Sequence, residues 1–169
     1  RPMESRMSET HQPAPQPVLN RAEWIAKMEA LTEESGHFHT LGARHFNFFA
    51  DEGPVLLVSF DTVEAILARP DQMPLAHAHA TARGWSHVCV IADGETWFRG
   101  PAVYAYFDRL VDETFLEEFD NVLFYGAGMG GYAACAYAVS APGAQVLARI
   151  PEDRHAEGVG GGLRRSRHA

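Results

Sequence analysis

The sequence predicts an α/β fold, a parallel sheet covered by helices on both faces, on three observations. Four runs, at 55–60, 87–92, 121–126 and 144–148, are apolar along both faces, as strands buried inside a parallel sheet must be. Segments with helical spacing lie between them. The β-α-β-α-β-α-β alternation that results is the pattern of helices packed on a parallel sheet with right-handed crossovers.

The elements follow in order. Asn20 with Glu23 three residues later reads as a helix start, the carboxylate reaching back to free amides. Trp24, Ile25, Met28 and Leu31 then recur at helical spacing, and Gly36 supplies a stop. Trp24 reads as a core anchor. Gly53-Pro54 introduces the first strand, 55–60, and helical segments follow at 62–69 and 75–83 around the strand at 87–92. Pro101 opens a helix over 101–113 with Val103, Phe107, Leu110 and Val111 on one stripe. The strand at 121–126 leads into an alanine-rich helix over 130–140, and the strand at 144–148 comes last.

The flanks read differently. Residues 1–19 read as a disordered leader, with three prolines in 8–19 and little apolar content. The α/β domain is expected over 20–150. Residues 151–169 read as a disordered tail whose glycines and arginines begin abruptly, as a frame change or a truncated coding sequence would produce. On that reading the sheet stops after 148 with an uncovered edge strand, a route to self-association.

Composition bounds the function. The chain has 169 residues, 46% hydrophobic and 21% charged, enough for one domain with a core. Lys and Arg number 14 against 22 Asp and Glu, a net charge of −8, which argues against nucleic acid and anionic membrane surfaces as partners. No apolar run approaches the roughly 18 residues of a membrane span, and no signal peptide is visible, so a cytoplasmic protein is expected. Two cysteines, Cys89 and Cys135, make no disulfide framework. Among nine histidines, His37 and His39 with His45, and His77 with His79, form clusters. An i, i+2 pair shares a face on a strand but not on a helix. Without a suitably spaced Cys or carboxylate, the expectation is surface histidines and no metal.

In such sheets chemistry collects at the carboxyl ends of strands. Here these are Asp61-Thr62, Asp93-Gly94-Glu95, Gly126 to Gly131, and Arg149. In Asp93 to Arg99, two carboxylates, an indole and a guanidinium could line a polar ligand pocket. The other reading, preferred for the aromatics, has Trp97 and Phe98 capping the core and Arg99 pairing with Glu95, and the role of the acids stays open. The ligand-binding candidates are Gly126, Gly128, Met129, Gly130 and Gly131, with Asp61 and Asp93 beside them. The glycine segment has three readings. Gly126, Gly128 and Gly131 fit G-x-G-x-x-G between strand and helix, a dinucleotide fingerprint, but the next strand ends at Arg149 rather than at an acid for the ribose. Gly126 and Gly130 also match the flanks of G-x-S-x-G, the nucleophile elbow, with Gly128 where the serine would stand. Glycine has no hydroxyl, so no acyl-enzyme forms there. The third reading is a tight turn whose glycines serve only close packing.

From Trp24 to Ala148 the text resembles a family of small alphaproteobacterial proteins with an α/β-hydrolase-like fold. The likeness rests on Gly53 to Val58, Gly84 to His87, Ile91 to Arg99, Tyr106 to Asp112, Phe124 to Gly128 and Ala141 to Ala144. Members commonly carry the inherited name phosphoadenosine phosphosulfate reductase. That resemblance implies either a catalytically degenerate α/β-hydrolase-like protein binding a small molecule, or, as the inherited name implies, an oxidoreductase binding an adenosine nucleotide or NAD(P). Reductases so named resemble one another in a Ser-Gly-Gly-x-Asp-Ser loop and a Glu-Cys-Gly-x-His motif, and neither occurs here. No catalytic residue and no cofactor are therefore assigned.

Overall fold

The computed structural model describes residues 18–151. The first helix, α1 (Arg21–Thr32), starts where the cap predicts: Asn20 Oδ1 accepts the Glu23 amide at 2.9 Å and Glu23 Oε1 accepts the Asn20 amide at 3.4 Å. Its buried stripe is Trp24, Met28 and Thr32, whereas Leu31 is exposed. Trp24 is fully buried, edge-on to Phe38 and Phe46, with Nε1 donating to the Gln72 carbonyl.

Two strands follow that the apolar-run reading misses, β1 (Gly36–Leu41) and β2 (His45–Ala50). They form an antiparallel hairpin. After it come β3 (Val55–Thr62), α2 (Val63–Ala68), α3 (His77–Arg83), β4 (Ser86–Ala92), α4 (Pro101–Asp112), β5 (Asn121–Ala127), α5 (Met129–Tyr137) and β6 (Gln145–Arg149). The order across the sheet is β1-β2-β4-β3-β5-β6. Pairing is parallel from β4 to β6, but β2 runs antiparallel to β4. The sheet is therefore mixed, not wholly parallel. Its hairpin was hidden because β1 buries only Phe38 and Leu41 among His and Thr, while β2 buries His45 and Asn47 among its phenylalanines.

Alternation along the strands divides the core. Leu56, Val58, Phe60, Val88, Val90 and Phe124 cluster with α4 and α5, and Phe46, Phe48, Cys89 and Ile91 cluster with α1 and α2. On α4 the buried stripe is Val103, Tyr106, Phe107 and Leu110, with Val111 exposed. The chain leaves β3 toward β4 on one side and then crosses to β5 on the other, which places a topological switch at the carboxyl end of β3. At one edge lies β6, with Val146 and Leu147 substantially exposed.

Among the described residues no helix is long and apolar enough to cross a membrane. Apart from residues 18, 19 and 151, the expected leader and tail lie outside the described residues. Leu19 is tied down, its amide donating to Gln72 Oε1.

Candidate functional site: the glycine elbow

Between β5 and α5 the backbone turns at Gly128, with φ 59° and ψ −127°. This is a conformation that residues with a side chain adopt only under strain. The three key glycines of the turn serve it differently. A Cβ on Gly126 would lie 2.0 Å from the Gly130 carbonyl oxygen, and one on Gly130 would lie 2.8 Å from the Phe60 carbonyl oxygen. At Gly128 a Cβ would meet nothing within 4 Å. The flanks are forced to be glycine by contact, while the apex faces open space.

Hydrogen bonds hold the apex. Gly128 donates to the Arg149 carbonyl of β6 at 2.6 Å, and its own carbonyl accepts from Gly131 at 3.0 Å. The Met129 and Gly130 amides, in the first turn of α5, donate to no acceptor among the described residues. They carry the positive end of the helix dipole and can receive a small anion. Beside them, at the carboxyl ends of β3 and β5, lies a cleft of about 260 Å³. Ser59, Asp61, Arg69, Tyr125, Met129 and Gly130 are among its walls.

The structure thus brings Asp61, Met129 and Gly130 into one cleft beside the Gly126–Gly131 turn, but the Asp61 carboxylate is already engaged. It pairs with Arg69 at 2.8 and 3.2 Å and accepts from the Thr62 and Leu75 amides. Its work is to hold the segment after α2 against β3. Asp93 does not line the cleft. Its carboxylate accepts from Arg21 at 2.7 Å, which holds it below the usual carboxylate range, and its carbonyl accepts two bonds from Arg44.

Other groups near the elbow escape a reading of sequence. Ser59 Oγ and His87 Nε2 lie 2.7 Å apart, both side chains buried, and His87 Nδ1 has no partner among the described residues. Burial pushes the His87 imidazole down to about 3, so it is neutral at pH 7. The expectation of surface histidines fails here and at His45, which is also buried and bonds Thr96 Oγ1. His77 packs half-buried at 6.4 Å from the His87 ring. His37 and His39 share a face of β1 and stack at 4.9 Å. Burial raises the Cys89 thiol, which keeps it unreactive. Among the described residues no three His, Cys, Asp or Glu side chains converge on a metal position.

The 93–99 segment divides. Phe98 is fully buried, as a core cap should be, but Trp97 is 44% exposed. Arg99 makes no ion pair among the described residues. Both Trp97 and Phe98 have left-handed φ, 54° and 56°, an unusual pair for large residues. The Trp97 amide points to Met129 Sδ at 3.1 Å, joining this loop to the elbow. No family model, curated protein or solved structure matches the chain.

Proposed function

We propose that this chain is a catalytically degenerate α/β-hydrolase-like protein whose elbow binds a small oxyanion-bearing molecule instead of cleaving it. The observation that carries the reading is Gly128: an elbow conformation, flanked by glycines that cannot bear a Cβ, with an apex that has room for a side chain and none present. In a hydrolase that apex carries the nucleophile, and the next amide helps form the oxyanion hole. The Met129 amide is the equivalent donor here. The sharp strand-to-helix turn after β5 supports the same reading, because a nucleophile elbow is such a turn. Among the described residues after Gly128 there is no histidine and no carboxylate. An activated nucleophile requires a base within reach.

With the amides of Met129 and Gly130 as donors, the ligand's carboxylate or phosphate sits over the α5 N-terminus and its body enters the cleft between β3 and β5. Thermal melting tests this. Inorganic phosphate at millimolar concentration is expected to raise Tm in wild type, since a ligand bound only to the native state stabilises it. Gly128→Asp, which places a carboxylate at the anion's position, is expected to abolish the shift. No shift with phosphate overturns the reading. A shift with NADPH or adenosine 3′,5′-bisphosphate and none with phosphate replaces it by the nucleotide-binding alternative.

A further inference from the structure

A second groove, of about 310 Å³, runs between α4 and α5 on the far side of the Trp97 loop. Its volume falls at the lower end of small-molecule sites. Three large aromatic side chains line it half-exposed: Trp97 at 44%, Tyr104 at 48% and Tyr132 at 49%. Scattered single apolar residues on a surface need no explanation, but a contiguous aromatic cluster rimmed by polar groups marks an interaction site. The rings are not collapsed face to face. Trp97 and Tyr132 are tilted by 59° at 5.6 Å, and Tyr104 and Tyr137 by 44° at 5.9 Å, so neither pair is stacked.

Backbone strain at the same place is the independent observation. Trp97 and Phe98 sit at left-handed φ, and the surroundings over-determine that pose. Phe98 fills the core, its amide donates to Thr96 Oγ1, its carbonyl accepts from Tyr137 Oη, and the Trp97 amide meets Met129 Sδ. Strain held in this way collects at ligand clamps. Here its result is an indole presented at the groove mouth instead of buried beside Phe98.

Charge decides the ligand class. Arg99 lines the groove and has no carboxylate partner among the described residues, and Asp108 lines it as well. A planar aromatic body is matched by the three rings, and one negative group by the Arg99 guanidinium. The Asp108 carboxylate disfavours a second negative charge. We infer that the α4–α5 groove binds a planar aromatic monoanion, stacked among Trp97, Tyr104 and Tyr132 with its charge on Arg99. This site stands independently of the elbow reading.

Calorimetric titration with 2-naphthoate, and with neutral 2-naphthylmethanol as the paired probe, tests the assignment on the full chain. Saturable 2-naphthoate binding with a Kd below about 1 mM is expected, at least fivefold tighter than the neutral probe. Tyr132→Ala and Arg99→Gln are each expected to weaken it about tenfold. Trp97→Gly should weaken it similarly without lowering Tm, because glycine accepts the left-handed φ that tryptophan does not. That combination separates a binding role from a structural one. Absence of saturable binding, equal affinity for both probes, or indifference to all three substitutions overturns the inference. The phosphate shift at the elbow is read separately, so failure here and failure at the elbow are distinguishable.

Discussion

Gly126→Ala is expected to destabilise the fold by about 4 kcal/mol, at the severe end for a single substitution. Gly128→Ala, two residues away, is expected to cost only about 1–3 kcal/mol, the price of backbone strain. The difference follows from what a methyl group meets. At 126 it would stand 2.0 Å from a backbone carbonyl of α5's first turn, and backbone cannot swing aside as a side-chain tip can. Relief would require α5 to lift from β5, breaking the packing of Ala133 and Ala134, both buried against the sheet. At 128 there is room, and only φ resists. Urea unfolding of the two variants checks this. Equal losses would mean that the apex is packed as tightly as its flanks, and the elbow reading would lose its basis.

Acid sensitivity centred on His87 is the second large effect. The folded imidazole titrates at about 3 and the unfolded one at the ordinary 6.5, because the fold buries the ring and sets it beside His77. Above 6.5 neither state binds the proton, and stability is insensitive to this group. Below 6.5 the unfolded chain takes up a proton that the folded one refuses, so stability falls by about 1.4 kcal/mol per pH unit until the folded pKa is reached. The total is on the order of 5 kcal/mol. His77, half-buried against His87, is shifted down as well and adds to the loss in the same direction. Urea midpoints between about pH 7 and pH 4.5 should show this slope in wild type, and His87→Gln should reduce it by about one proton. A variant slope equal to that of wild type would contradict a neutral, buried His87.

Much of the fold is legible because burial writes itself into composition. Strands β3, β4 and β5 have neighbours on both sides, so Val55 to Phe60, His87 to Ala92 and Asn121 to Gly126 read as apolar runs. The β1–β2 hairpin is not legible in that way, since it buries polar groups by pairing them. Asn47 Nδ2 meets His37 Nε2 across the two strands, and His45 meets Thr96 from a distant loop. The signal that was available is the glycine turn at Gly42, φ 63°, between two aromatic-bearing segments.

The elbow was legible for a related reason: only glycine survives a 2.0 Å approach, so contact leaves a mark on the sequence. What Asp61 and Asp93 do was not. Their partners lie as far as 72 residues away, and nothing local announces that Arg69 or Arg21 already occupies them. Ser59 and His87 likewise meet only because β3 and β4 pair in one register.

The central claim is that position 128 is an elbow apex without a nucleophile, and mass spectrometry after exposure to p-nitrophenyl acetate tests it most directly. Wild type is expected to release no p-nitrophenol above the buffer rate and to carry no acetyl group on the segment from Gly126 to Tyr132. Turnover by the wild-type chain, or an acetyl group on that segment, would contradict the account.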